Sequence, residues 1–275
     1  MSRLDSRKTS IVRIPVPGSR SPLEVGGGTF TLIAGPCSVD RPATFYSCSE
    51  ALVTAGAHAL RGGIFKMRTK PDSFQGLGRE GMEILLEARR RSGLPVVTEV
   101  VDPRHLEELD PVVDVYQVGA RNMYNYELLK ELGRAGKPVL LKRAFTAYLD
   151  EWAHAAEYVL RAGNSNVILC ERGVRGFDPH TRNILDLASV PVIRSRTGLP
   201  VIVDPSHGTG RRELVAPLSI AALAAGADGL LIEVHPDPGS ALSDAEQALT
   251  PAEFGALARR LKRVRGALEA EEPAL

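Results

Sequence analysis

The sequence predicts an α/β fold, a closed (β/α)8 TIM barrel, on three observations. From Thr29 onward eight short apolar, β-branched runs recur: FTLIAGP (30–36), HALRGGIFK (58–66), PVVTEV (95–100), VDVYQVGA (113–120), PVLLKRA (138–144), NVILCERG (166–173), PVIVDPSH (200–207) and GLLIEVH (229–235). The stretches between them, such as REGMEILLEARRRSG, NYELLKELGRAG and LDEWAHAAEYVLRAG, carry apolar residues at three- and four-residue spacings and end in glycine, as helices do. In run after run the apolar part comes first and a reactive residue follows at its C-terminal end.

Continuous apolar strands are buried on both faces, the mark of a parallel sheet covered by helices. Eight such units within residues 29–268 fit a closed barrel better than an open sheet. An open doubly wound sheet gathers ligands at its switch point alone and has no need of eight decorated strand ends.

In chain order, residues 1–28 read as a polar arm with Pro15, Pro17 and Pro22, closed by GGG at 26–28, with a short edge strand or hairpin around IVRIPV. Residues 29–268 form the barrel and 269–275 a C-terminal tail. The first run ends in Cys37, the second in Arg61 and Lys66, the third in Glu99 and the fourth in Arg121. The fifth ends in Lys142 and Arg143, the sixth in Arg172, the seventh in Asp204 and His207, the eighth in Glu233 and His235. Barrel active sites form at that end. The charges of EARRRS and ARRLKRVRG read as solvated helix faces, and Arg143 as a strand-end charge reaching solvent.

Composition narrows the function classes. A 275-residue chain with a formal net charge of +1 has no long-range pull toward nucleic acid or membrane, so its cations are local tools. No apolar run approaches the ~20 residues that span a bilayer, and MSRLDSRKTS lacks a signal peptide's apolar core, so a cytoplasmic location is expected. Three cysteines, an odd number in a large chain, argue against a disulfide framework. No GxGxxG turn, Walker loop, CxxC pair or HExxH helix is present, which disfavours nucleotide cofactors and the familiar zinc folds.

The stretch LRGGIFKMRT (60–69) concentrates Arg61, Lys66, Arg68 and Thr69, with Gly62 and Gly63 letting backbone approach a bound group. An anionic, phosphate-bearing ligand is its natural reading. Arg61, Lys66, Arg121, Lys142 and Arg172 at one barrel mouth would repel one another unless a polyanion sat among them; two phosphoryl groups and a carboxylate would satisfy them. Cys37, His207 and Glu233 come from the first, seventh and eighth strands, neighbours in a closed barrel, and Asp244 follows in the next loop. That donor set of mixed softness suits manganese, iron, cobalt or zinc rather than magnesium. His235 and Asp237 remain alternatives for the ligand role.

Taken together and in order, GPCSV (35–39), LRGGIFKMRT with SFQGLG, TEV (98–100), QVGARN (117–122), LLKR (140–143), ILCERG (168–173), DPSHGTGRR (204–212) and EVHPDP with ALSD (233–244) resemble the type I-beta 3-deoxy-D-arabino-heptulosonate-7-phosphate (DAHP) synthases. The resemblance covers about residues 29–260. It implies a metal-dependent condensation of phosphoenolpyruvate with erythrose 4-phosphate, opening the shikimate pathway, in a homodimer or homotetramer. It also implies Cys37, His207, Glu233 and Asp244 as metal ligands, Arg61, Lys66, Arg121, Lys142 and Arg172 around phosphoenolpyruvate, and Arg68 and Thr69 on the aldose phosphate. In that scheme the metal is a Lewis acid on the aldehyde, Glu99 holds the water that attacks C2, and Lys66 donates a proton, with Lys142 or a metal-bound water as the alternative donors.

The chain departs from the family where KPRTSP becomes KMRTKP (Met67, Lys70) and LLKRGM becomes LLKRAF (Ala144, Phe145). These changes bear on the aldose and spare every proposed metal and phosphoenolpyruvate residue. The alternatives are the same chemistry on a five-carbon aldose phosphate, as in 3-deoxy-octulosonate 8-phosphate synthases, and a silent barrel acting as a partner protein. The KMRT loop favours the four-carbon sugar over the KANR-type loop of the octulosonate group. No separate regulatory domain is legible, so a bare catalytic core is expected.

Overall fold

In the computed structural model of the chain, which describes residues 9–270, the eight predicted runs form one parallel sheet closed on itself. The first strands, β1 (Val12–Ile14) and β2 (Leu23–Val25), make an antiparallel hairpin in the arm. The barrel strands are β3 (Thr31–Gly35), β4 (Ala59–Arg61), β5 (Val96–Glu99), β6 (Val115–Val118), β7 (Val139–Lys142), β8 (Val167–Glu171), β9 (Val201–Val203) and β10 (Gly229–Glu233). Each pairs with the next in chain order, and β10 returns to pair with β3 from Gly229↔Thr31 to Glu233↔Gly35.

Helices α1 (Pro42–Ala55), α2 (Glu80–Ser92), α3 (Leu106–Leu109), α4 (Tyr126–Ala135), α5 (Leu149–Arg161) and α6 (Ser189–Thr197) connect the strands up to β9. Then come α7 (Pro205–Thr209), α8 (Arg212–Ala224) and α9 (Pro251–Ala270). Glycine closes several of them in the left-handed region, at Gly56, Gly93, Gly136 and Gly198. The expected 269–275 tail begins inside α9, and residues 271–275 lie outside the described residues, as do residues 1–8 of the arm.

Period-2 alternation divides the apolar side chains between two cores. Outward-facing residues such as Leu60, Tyr116 and Leu141 pack under the helices with Trp152 and Phe254, and Trp152 Nε1 donates to the Leu141 carbonyl at 3.2 Å. Inward-facing Ile33, Ala59, Val97, Val115, Leu140, Ile168, Ile202 and Leu231 fill the barrel, and Val12, Ile14 and Val25 of the hairpin join them. The arm thus plugs the N-terminal end of the barrel, leaving the opposite end for the site.

Two runs are shorter as strands than the sequence suggests. β4 ends at Arg61, beyond which only a bridge from Gly63 to Ser38 continues the ladder, and β9 ends at Val203 because Asp204 caps α7. Lys66 and His207 therefore stand on a loop and a short helix rather than on strand ends.

Candidate active site

The same alternation that fills the barrel also assembles its mouth. Two residues beyond the inward-facing core residue of a strand, the chain points inward again: Arg61 after Ala59, Glu99 after Val97, Gln117 after Val115, Lys142 after Leu140, Asp204 after Ile202 and Glu233 after Leu231. On β3 and β8 the step is doubled, through Gly35 to Cys37 and through Cys170 to Arg172. One layer of apolar side chains thus carries a layer of charge.

Four donors meet there. Cys37, His207, Glu233 and Asp244 offer ligand atoms that all lie within 4.8 Å of one another. Cys37 Sγ is 3.0 Å from Asp244 Oδ2 and 3.8 Å from His207 Nε2, and His207 Nε2 is 3.1 Å from Glu233 Oε1. Donors around a tetrahedral ion with bonds of ~2.0–2.3 Å stand roughly 3.3–3.8 Å apart, so the set fits a divalent transition ion. Glu233 Oε1 is buried without a hydrogen-bond partner, as a carboxylate oxygen meant for a cation would be. His235 and Asp237 stay outside this set: His235 Nε2 lies 3.9 Å from Asp40, and its Nδ1 accepts from the Asp237 backbone N–H at 3.1 Å.

Asp204 orients the histidine. Its Oδ2 lies 2.7 Å from His207 Nδ1, and an ionised carboxylate only accepts, so Nδ1 carries a proton and Nε2 is the nitrogen that faces the cluster. Burial works against charge on His207, yet Asp204 and Glu233 overrule it and lift its pKa to about 10. A proton and a divalent ion therefore compete for Nε2. Asp244 is the one non-glycine described residue with positive φ (54°), and Arg182 Nη1 holds its Oδ1 at 3.0 Å. Backbone strain of this kind gathers where a side chain must be aimed.

Beside the donors, Arg61, Lys66, Arg68, Thr69, Arg121, Lys142 and Arg172 line one cavity of about 320 Å3 together with Glu99, His207 and Asp244. The protein itself neutralises part of the predicted charge cluster. Lys142 Nζ donates to Asp204 at 2.7 Å, Arg61 Nη1 lies 3.4 Å from Glu233, and Lys66 Nζ lies 3.5 Å from Glu99 and 3.1 Å from Cys37 Sγ. Burial opposes the charge on Lys66, but Cys37 and Glu99 outweigh it and its pKa is raised; on Arg61, Cys37, Glu233 and Asp204 outweigh burial likewise. Arg61 Nε and Nη1 are buried without a hydrogen-bond partner. Among the described residues Arg121 and Arg172 have no carboxylate within 4.0 Å, and burial pushes the Arg172 pKa down. Three buried or cavity-lining guanidiniums thus have donors to spare, and guanidinium forks of this kind match carboxylate and phosphate oxygens.

Arg68 and Thr69 line the same cavity. Arg68 Nη1 is 4.0 Å from Asp244 Oδ2, and Thr69 Oγ1 accepts from Arg121 Nη2 at 3.1 Å, which ties the KMRT loop to the mouth of β6.

Two expectations need correction. Arg143 does not reach solvent: it is buried, and its Nη1 pairs with Glu171 at 3.0 Å and Asp186 at 2.9 Å, because it faces outward from β7 into a helix-covered layer. Gly62 and Gly63 make room for the protein's own groups rather than a ligand. A Cβ on Gly62 would meet the Phe45 ring at 2.6 Å, and one on Gly63 would meet Lys66 Cδ at 2.9 Å and the Cys37 carbonyl at 3.0 Å. Arg182, Gln117 and the part Asp204 plays in holding His207 emerge only from the structure. The Asp-Pro pair ahead of a His three residues on was a legible helix-cap signal for Asp204, whereas nothing local marks Arg182.

The DAHP synthetase I family profile matches residues 15–270. The chain is 47% identical over 246 residues to a phospho-2-dehydro-3-deoxyheptonate aldolase of Thermotoga maritima, covering 90% of this chain and 73% of that protein. It is 36% identical over 244 residues to a 2-dehydro-3-deoxyphosphooctonate aldolase of Alkalilimnicola ehrlichii, covering 79% of this chain and 84% of that one. Among solved structures, a truncated form of the Thermotoga maritima 3-deoxy-D-arabino-heptulosonate 7-phosphate synthase superposes with a TM-score of 0.86 at 41% identity, covering 95% of this chain and 94% of that chain. By its sequence, its closed barrel and the residues at its mouth, the chain belongs to the DAHP synthetase I family.

Proposed function

We propose that this chain condenses phosphoenolpyruvate with erythrose 4-phosphate to give 3-deoxy-D-arabino-heptulosonate 7-phosphate and inorganic phosphate. The observation that carries the reading is the side-by-side placement of a four-donor cluster and a guanidinium-rich cavity: Cys37, His207, Glu233 and Asp244 against Arg61, Arg121 and Arg172. The Cys-His-carboxylate donors favour manganese, iron, cobalt or zinc over magnesium. A divalent ion bound there supplies Lewis acidity toward the aldehyde oxygen.

The chain's own residues do the rest. Arg61, Arg121 and Arg172 clamp the carboxylate and phosphate of phosphoenolpyruvate, presenting its C3 to the aldehyde carbon. Lys66, kept protonated by Cys37 and Glu99, donates a proton to the oxygen that becomes the new hydroxyl, with Lys142 as the alternative donor. Glu99, reaching into the cavity beside Lys66, holds the water that attacks C2 and takes up its proton. The C3–C1 bond forms as the enol π pair leaves C2, water adds to C2, and the hemiketal phosphate then loses inorganic phosphate by C–O cleavage. Arg68 and Thr69 hold the distal phosphate of the aldose.

The sugar length follows from the two anchors. One added carbon lengthens the aldose by about 1.3 Å, and misplacement by ~1 Å costs roughly a hundredfold in rate. Met67 and Lys70 line the same cavity, so they are the residues through which a different aldose would be admitted. The test is a phosphate-release assay with phosphoenolpyruvate and each aldose phosphate in turn. Turnover with erythrose 4-phosphate far above that with arabinose 5-phosphate supports the reading. The reverse order assigns the chain to octulosonate chemistry, and no turnover with either sugar leaves a silent barrel.

A further inference from the structure

Phe145 stands where three guanidiniums converge. The Cζ atoms of Arg172, Arg121 and Arg175 lie 4.7, 5.2 and 5.7 Å from the centre of its ring, all within the ~6 Å over which an aromatic face attracts a cation. They come from two separate segments: Arg121 from the turn after β6, and Arg172 and Arg175 from the loop that follows β8. The ring is half-buried and lines the cavity with Arg121 and Arg172. Its backbone is fixed to the same loop, for the Phe145 carbonyl accepts from the Arg175 N–H at 2.6 Å.

The arginines otherwise lack strong tethers. Arg121 Nη2 donates to Thr69 Oγ1 at 3.1 Å; Arg172 donates from Nη2 to the His207 carbonyl at 3.2 Å and from Nη1 to the Gly173 carbonyl at 3.4 Å. None of the three has a carboxylate within 4.0 Å among the described residues. Like charges so placed repel, and the exposed Arg121, held by a single neutral hydrogen bond, keeps much of its freedom. The electron-rich face of one ring answers both difficulties, because it attracts each cation without offering a carboxylate that would compete with an anionic ligand.

We propose that Phe145 is a positioning residue for the anion-binding arginines: its ring holds Arg121 and Arg172 with their N–H forks turned into the cavity and gathers Arg175 into the same electropositive rim. The ligand, phosphoenolpyruvate, rests on the functional reading above; the aromatic clamp rests on the ring geometry. Pre-ordering the guanidiniums lowers the ordering cost of binding, so loss of the ring should appear first in affinity for the anion.

The test replaces Phe145 in the metal-loaded enzyme with leucine, tyrosine, and mono-, di- and trifluorinated phenylalanine, which drain the ring face at nearly constant shape. Calorimetric binding of phosphoenolpyruvate without aldose is read beside KM and kcat. F145L is expected to weaken phosphoenolpyruvate binding about tenfold, F145Y by less than about twofold, and the fluorinated series to weaken it stepwise with each fluorine. KM for phosphoenolpyruvate should rise in parallel, and kcat should fall by a smaller factor. A flat fluorination series, or F145L binding as tightly as the parent, overturns the aromatic clamp while leaving the functional reading intact. A parent enzyme that binds no phosphoenolpyruvate overturns the functional reading and the assigned ligand together.

Discussion

Asp204 and His207 are joined twice: Asp204 Oδ1 accepts the His207 backbone N–H at 2.9 Å and Oδ2 lies 2.7 Å from the ring Nδ1. The first contact caps the short helix α7 and the second fixes which ring nitrogen faces the donor cluster. Removing the acceptor charge while keeping the shape, D204N, should lower divalent-metal affinity about 10- to 100-fold, as loss of such outer partners does. Competition titration with a chromophoric chelator measures this; unchanged affinity would show that the ring is held by something else.

The same carboxylate makes the fold acid-sensitive. Burial alone would raise the Asp204 pKa, but His207 and Lys142 hold it well below the usual carboxylate range. The unfolded chain protonates this group near pH ~3.9 while the native state does not, so the unfolded state binds more protons there and stability drops as the pH is lowered. The contribution is complete above about pH 5 and is lost as pH falls below ~4. Urea unfolding of the parent and D204N should therefore show a gap that narrows on acidification. A constant gap would contradict the assignment.

The buried Arg143–Glu171 pair predicts a stability effect away from the cavity. Glu171 is fully buried and accepts from Arg143 at 3.0 Å and from the Gly173 N–H at 2.7 Å. R143M leaves that carboxylate without its cation and should cost about 3–5 kcal/mol by chemical denaturation. A loss under about 1 kcal/mol would place the pair in solvent instead.

The hairpin makes a separable prediction. Ile14 is fully buried in the barrel interior, at the end opposite the active site. I14A should destabilise by about 2–5 kcal/mol through lost burial and a residual cavity. Its KM values should stay at those of the parent at a temperature where both are folded.

Gly119 tests Glu99. A Cβ built there falls 2.1 Å from Glu99 Oε1, while the backbone at φ −67° accepts any residue. G119A should therefore displace the Glu99 carboxylate by about an ångström with little effect on the fold, lowering kcat roughly a hundredfold. An unimpaired G119A would remove Glu99 from the reaction.

Much of this architecture is written into local sequence. Period-2 patterning in runs such as VLLK places Leu140 inside the barrel and Lys142 at its rim, and glycine stops mark the helix ends. Cys37, His207, Glu233 and Asp244 were legible because closing the barrel makes the first, seventh and eighth strands neighbours. Other features depend on tertiary placement that no short window contains. Arg143 is an ordinary strand-end cation until the fold sets Glu171 and Asp186 beside it. Arg182 looks like a loop charge until the chain brings it against Asp244, 62 residues on. The glycines of LRGGIF promise room for a ligand, but Phe45 and Lys66 occupy that room.

We propose that the strand ends build a divalent-metal centre with Cys37 as a sulfur ligand beside an anion cradle. Cobalt-loaded protein examined by X-ray absorption measures it directly. One cobalt per chain is expected, with a sulfur scatterer at ~2.3 Å and nitrogen or oxygen scatterers at ~2.0–2.2 Å, the sulfur vanishing in C37S. Cobalt bound without sulfur in the parent, or the same sulfur signal retained in C37S, would contradict it.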